Sequence, residues 1–171
     1  YHVLIVGAGV VGSSLALALS HLPLRIALIE QIPFRFEPPL SLDSKPIALN
    51  VASMRILQTL ALWPALAAYA NPIRQVHISQ QACFAQSRIS AKDMGVAQLG
   101  CVIPAARLGS ELIKALSECA AGKTAAKASL ELFNPAQCQS ISKTKQAWQV
   151  LFSTAENEKI VTQFSQIKID D

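Results

Sequence analysis

Residues 7–12 read Gly-Ala-Gly-Val-Val-Gly, set between a short β-branched-rich run at Val3–Val6 and small and apolar residues that continue toward Ser20. This change of pattern is that of a buried parallel strand followed by a tight turn and a helix. The glycines follow the G-x-G-x-x-G spacing, and in such a turn each has its own steric task. Gly7 permits the sharp exit from the strand, Gly9 lets the backbone approach a pyrophosphate without a Cβ in the way, and Gly12 lets the helix pack close to the strand. The amides of Val10 and Val11 then fall in the first helical turn, where unpaired N–H groups and the positive end of the helix dipole favour phosphate.

The stretch from residue 3 to residue 19 carries no charge, so a membrane or secretion segment is the competing interpretation. A spanning helix needs about 20 continuous apolar residues, and a secretion signal opens on basic residues. Three glycines and two serines interrupt this run, and no lysine or arginine precedes it. A second strand-like run, Arg25–Ile29 (RIALI), ends on Glu30, with seventeen residues between Gly12 and Glu30. That is close to the ~20 residues expected before the carboxylate that accepts the ribose hydroxyls of an adenosine. Such a carboxylate repels a 2′-phosphate, so the expected ligand is the ADP half of FAD or NAD, not of NADP.

With 171 residues, 51% of them apolar and 15% charged, the chain has the composition of a folded domain or of part of a larger one. Its four cysteines, Cys83, Cys101, Cys119 and Cys138, stand eighteen or nineteen positions apart without a C-x-x-C pair. The spacing suits neither a zinc ribbon nor a disulfide framework, and reduced thiols point to the cytoplasm. A net charge of +4 raises nucleic acid as a partner, but the lysines and arginines are scattered singly, without a basic run or interleaved aromatics, so nucleic-acid binding is not expected. His77 lies in a strand-like run with no accompanying nucleophile motif, His2 and His21 have no evident partners, and no metal site is expected.

Beyond Glu30, the proline-rich QIPFRFEPPLSLDSKP reads as a long loop of the kind that contacts ligands. A helix is expected from Ala48 to Leu60, capped by Asn50 or Ser53, and a shorter one from Trp63-Pro64 through Ala70. Residues from Pro72 read as extended, with the segment around Arg88 to Ser90 pairing antiparallel to the run containing His77. Gly100–Pro104 reads as a strand, followed by a helix carrying Leu108, Leu112 and Leu116 that ends near Gly122. The remainder, with the runs SLELF, QSIS, WQVLF, KIVTQF and QIKID, reads as a meander of strands.

The blocks VLIVGAGVVGSSLALALS, Glu30, LDSKPIALNVASMRILQTLALWPALAAYANPIRQVHIS and MGVAQLGCVIPAARLGSELIKAL resemble, in order and spacing, the flavin-dependent aromatic hydroxylases (monooxygenases) of ubiquinone biosynthesis. The resemblance spans Val3 to about Leu116. It implies an α/β fold: a Rossmann-like FAD-binding βαβ unit with an added β-meander and part of a substrate-domain β-sheet. The implied FAD-binding domain is discontinuous, residues 1–72 and 100–171, with 73–99 as substrate-domain strands. The resemblance further implies FAD as cofactor, NAD(P)H as electron donor, O₂ and a polyprenyl phenol as substrates, ubiquinone-biosynthesis proteins as partners and peripheral contact with the inner membrane. Gly7, Gly9, Val10, Val11, Gly12 and Glu30 would hold the ADP portion. Lys45, in the block Asp43 to Leu49 where the family has an arginine, and Arg107 would be further flavin contacts; no catalytic residue is assigned.

The family's later D-G and G-D motifs do not occur up to Asp171. The expectation is therefore of the N-terminal portion of the family fold, without its C-terminal half, inactive alone and weak in retaining flavin. A second interpretation is a non-catalytic nucleotide-binding remnant or partner-binding module. An NAD-dependent dehydrogenase ranks below both, because no Tyr-x-x-x-Lys or zinc ligand set follows the glycine motif.

Overall fold

Ile26, Ala27, Leu28 and Ile29 are almost completely buried at four consecutive positions, a pattern produced by a strand covered on both faces and flanked on both edges. The structure, a computed structural model, describes residues 1–37, 45–79, 86–143, 148–154 and 158–164, with side chains as far as Thr154 except at Gln86. The chain divides into two compact units, residues 1–37 with 109–171, and residues 38–108.

In the first unit β1 (Val3–Val6), α1 (Val10–Leu19) and β2 (Arg25–Ile29) form a parallel βαβ unit, in register from Val3 opposite Ile26 to Val6 opposite Ile29. The second edge of β2 is taken by a later strand, Ser129–Phe133, also parallel, from Arg25 opposite Ser129 to Ile29 opposite Phe133. SLELF therefore belongs to the parallel sheet and not to the meander expected from its sequence. Its backbone completes the edge that the apolar β2 would otherwise leave open.

The antiparallel meander follows as Ala136–Lys143, Trp148–Thr154 and Glu158–Phe164, with Trp148–Thr154 in the middle. The QIKID run lies outside the described residues. Phe152 and Val150 pack with Ile29 and Ala136 in one buried cluster, and the Phe152 ring sits 4.7 Å from that of Phe133 at the end of the parallel sheet. Aromatic pairing of this kind adds to what the buried area contributes.

In the second unit, β3 (Pro46–Asn50) pairs antiparallel with β7 (Gly100–Pro104), whose other edge takes β4 (Asn71–Ile73). The helix expected from Ala48 begins instead at Val51: the backbone of residues 46–50 is used by the β7 ladder, and long-range pairing outweighs the local helical spacing. Asn50 caps α2 (Val51–Thr59), accepting from the Ser53 amide at 2.8 Å. At the other end, Ala61 N–H donates to Gln58 and Leu62 N–H to Leu57, a Schellman closure with Ala61 left-handed at φ 57°.

A short helix α3 (Trp63–Leu66) and a 3₁₀ turn (Ala67–Tyr69) follow. β5 (Gln75–Ser79) and β6 (Gln86–Ser90) form a separate hairpin that sets His77 opposite Arg88, as the sequence pattern indicates. Helix α4 (Ala105–Ala120) starts in the second unit and continues in the first, with Leu108, Leu112 and Leu116 buried. Among the described residues no helix is long and apolar enough to cross a membrane.

Phe152→Ala is expected to cost about 3–5 kcal/mol, read as a lowered denaturation midpoint, because it empties a fully buried aromatic site. Ile141→Ala, on a side chain 55% exposed, should stay within about 0.5 kcal/mol of wild type. Ala61→Gly should raise stability by about 0.5–1 kcal/mol, since glycine carries no Cβ penalty in the left-handed C-cap; an unchanged or lower melting temperature would contradict it.

Candidate functional site

β1 and β2 end side by side, Val6 opposite Ile29, so the loops that leave them meet at the same edge of the sheet. The Gly7 amide adds one more rung, donating to the Ile29 carbonyl at 2.8 Å, and the chain then turns with Gly7 at φ +98°, where side-chain-bearing residues are strained. Gly9 is the N-cap of α1, and the first helical bond runs from the Ser13 amide to the Gly9 carbonyl at 2.9 Å. The amides of Gly9, Val10, Val11 and Gly12 therefore have no acceptor within the helix. No side chain caps α1, and its first turn contains no acidic residue. The wholly buried Ser13 donates from Oγ to the Ala8 carbonyl at 2.8 Å, tying the turn to the helix that follows it.

Two of the glycines differ in what confines them. A Cβ at Gly12 would collide with the Gly7 carbonyl and stand 3.2 Å from Ile5 Cγ2, so the absence of a side chain there serves the fold. A Cβ at Gly9 would meet nothing within 4 Å, and the backbone there is extended, a conformation open to any residue. The open space in front of Gly9 lies beside an uncapped helix terminus. That combination suits a pyrophosphate, and the residues fit the group.

Glu30 reaches back to this loop. One carboxylate oxygen accepts from the Ala8 amide at 2.6 Å and the other from the Ile32 amide at 2.7 Å. Its own backbone is held as well: the amide donates to the Phe133 carbonyl at 3.0 Å, and the carbonyl accepts from the Ala136 amide at 2.8 Å. A carboxylate has about four acceptor positions, so two remain for a ribose diol. Next to it opens a cleft of about 240 Å³, walled by Ala8 and Gly9, by Glu30, by the Ile32–Arg35 segment and by Ile113 of α4. Ile32, Pro33 and Phe34 give it an apolar wall suited to a purine face.

Of the residues singled out from the sequence, Gly7, Gly9, Val10, Val11, Gly12 and Glu30 come together at this loop in the first unit. Lys45 and Arg107 belong to the second unit. There the Lys45 carbonyl accepts from the Ala105 amide at 3.0 Å at the start of β3, and the Arg107 guanidinium lies 4.2 Å from the centre of the Tyr69 ring. Asp43 and Ser44 lie outside the described residues.

Sequence reasoning passed over Ser13, whose signal is a hydroxyl directly after the third glycine, and Asn134, whose signal is an Asn-Pro pair at a strand end. Burial pushes the Cys101 thiol up, which makes it a poor nucleophile. Among the described residues no group of three or more His, Cys, Asp or Glu gathers as a metal site.

A parallel strand, a glycine turn, an uncapped helix terminus and an acid at the end of the next strand define a dinucleotide-binding α/β domain. A family model described as FAD binding domain matches residues 1–162, and the chain belongs to that family. The dinucleotide it binds is FAD.

Three solved structures share the fold. The OxyS anhydrotetracycline hydroxylase from Streptomyces rimosus aligns with a TM-score of 0.71 at 17% identity, over 94% of this chain and 29% of that one. The p-nitrophenol 4-monooxygenase PnpA from Pseudomonas putida DLL-E4 aligns with a TM-score of 0.67 at 12% identity, over 93% of this chain and 38% of that one. The flavin-dependent monooxygenase PieE, solved in complex with FAD and substrate, aligns with a TM-score of 0.63 at 18% identity, over 92% and 28%. The chain thus spans between about a quarter and two fifths of the length of these structures.

The open space at Gly9 and the closed one at Gly12 predict opposite outcomes. Gly9→Val should leave the melting temperature within a few degrees of wild type and abolish FAD binding, because the side chain fills the place of the pyrophosphate. Gly12→Ala should lower the melting temperature sharply, since its Cβ meets backbone. Unchanged flavin affinity in Gly9→Val would refute the role given to the loop.

Proposed function

We propose that this chain is the FAD-binding part of a flavin-dependent monooxygenase that hydroxylates a polyprenyl phenol in ubiquinone biosynthesis, of the kind represented by 2-octaprenyl-6-methoxyphenol hydroxylase. The observation that carries this reading is the glycine-loop and Glu30 cleft inside an FAD binding domain match over residues 1–162. The likeness to the solved structures of a hydroxylase and two monooxygenases supports the reaction class. The ordered sequence blocks between Val3 and Leu116 support the substrate class. In the same reading residues 1–72 and 100–171 form the FAD-binding domain and 73–99 begin a substrate-binding sheet. The β5–β6 hairpin, with Val76, Ile78 and Ile89 exposed, supports that last assignment.

The α1 amides hold the pyrophosphate, and the two remaining acceptor positions of Glu30 take the adenosine ribose hydroxyls, its charge excluding a 2′-phosphate. Ile32, Pro33 and Phe34 exclude water from the purine face. Lys45 and Arg107 are assigned to further flavin contacts by resemblance. When bound, FAD supplies the redox chemistry, taking electrons from NAD(P)H and using O₂ to place a hydroxyl on the phenol. A lipid-tailed substrate places the cytoplasmic protein at the surface of the inner membrane, where ubiquinone-biosynthesis proteins are its partners.

The second reading, a nucleotide-binding module without catalysis, is favoured by the stacking of Arg107 on Tyr69, which engages one of the assigned flavin contacts with protein. Purification followed by visible spectroscopy and FAD titration tests the binding assignment that both readings share, and stimulated NADPH oxidation would exclude the second. The chain is expected to elute with little flavin, to bind added FAD in competition with ADP, and to oxidise no NAD(P)H in the presence of a polyprenyl phenol. A chain that takes up FAD in neither refolding nor titration would overturn the binding assignment. Polyprenyl phenol-stimulated NADPH oxidation would overturn the expectation that this portion is inactive alone.

A further inference from the structure

The wall of the cleft from Glu30 to Arg35 contains no helix or strand beyond β2, and Ile32 and Pro33 are exposed. A segment of this kind is loose unless its backbone is tied down. Beside the Glu30 carboxylate, which takes the Ile32 amide, the ties come from a side chain one hundred residues further along the sequence. The Asn134 carboxamide nitrogen donates to the Ile32 carbonyl at 2.6 Å and to the Glu30 carbonyl at 3.1 Å, while its oxygen accepts from the Phe34 amide at 2.9 Å. The orientation of the amide follows from chemistry, since only nitrogen can face two carbonyls and only oxygen can face an N–H. Asn134 is held in turn by its place directly after Phe133, whose carbonyl takes the Glu30 amide at the end of the parallel sheet.

We propose that Asn134 is a positioning residue for adenosine binding: its three hydrogen bonds fix the Glu30–Phe34 segment in the shape that walls the nucleotide cleft and aims the Glu30 carboxylate. The inference rests on the assignment of the cleft to the ADP half of FAD. Asn134 touches no ligand in this scheme and acts through the loop. It replaces the order that a regular element would have given, so its loss acts on the nucleotide through the cost of ordering that loop at the moment of binding.

Calorimetric ADP titration, combined with amide exchange followed by NMR, tests the proposal in the chain and in Asn134→Ala and Asn134→Asp. Asn134→Ala is expected to weaken ADP about tenfold, roughly one net hydrogen bond. Exchange protection at Phe34 should be lost while the amides of β2 stay protected. Asn134→Asp keeps the acceptor for the Phe34 amide, so protection there should return, but it cannot donate to the two carbonyls and should not restore full ADP affinity. ADP affinity within twofold of wild type in Asn134→Ala, or protection lost uniformly across β2 and its neighbours, would overturn the positioning role. A wild-type chain that binds no ADP would overturn the cleft assignment itself, and this inference with it; that failure shows before any variant is made.

Discussion

The Glu30 carboxylate is the point at which the nucleotide edge of the domain is joined. Its two oxygens hold two different loops, the glycine turn through the Ala8 amide and the segment after β2 through the Ile32 amide. Hydrogen bonds to a charged acceptor are stronger than neutral ones, and at the part-buried Ala8 amide an unpaired N–H would carry a desolvation cost, whereas the exposed Ile32 amide could turn to water. Glutamate thus has a task in the protein itself, apart from the ribose contact proposed for it. A glutamine would match one amide with its oxygen and oppose the other with its NH₂, so the second acceptor oxygen of the carboxylate is what joins the two loops.

The turn on the other side of that bond is shaped by close approach. Gly7 leaves the strand in a left-handed conformation, Gly12 is pressed against the Gly7 carbonyl, and Ser13 takes the Ala8 carbonyl. With these groups satisfied internally, the amides of the first α1 turn are the polar groups left over, and they lie next to the one glycine that the fold does not need to be glycine. That Gly9 has space around it, while Gly12 has none, separates the ligand requirement from the packing requirement within a single six-residue motif.

The parts of this arrangement legible in the sequence are those set by local chemistry or by short periodicity. The glycine motif, the strand before it, the RIALI strand and Glu30 fall within thirty residues, and each is read from its neighbours, although of Val3–Val6 only Ile5 is buried and Val6 is exposed. The same holds for the Asn50 cap, the His77 strand and the Leu108-to-Leu116 stripe. What escaped depended on distant backbone. SLELF has the length and composition of either a meander strand or a parallel one, and only the open edge of β2 decides between them. Ala48 sits at helical spacing from Val51 onward, yet its backbone is claimed by β7, about fifty residues later. Asn134 reads as an ordinary turn residue until the Glu30–Phe34 segment is folded against it.

The order of these pieces along the chain has a physical consequence. The residues that line the cleft come from 8–35 and from Ile113, all in the first unit, while residues 38–108 leave and return between them. Because Glu30, Phe133, Asn134 and Ala136 are bonded to one another, the departing end of β2 is fastened to the strand that arrives after the excursion, and the cleft is closed by contacts over a hundred residues apart in sequence. Forming it closes the long intervening segment into a loop, at an entropic cost that rises only slowly with loop length. The cleft thus depends on long-range pairing, although its signature is the most local feature in the sequence.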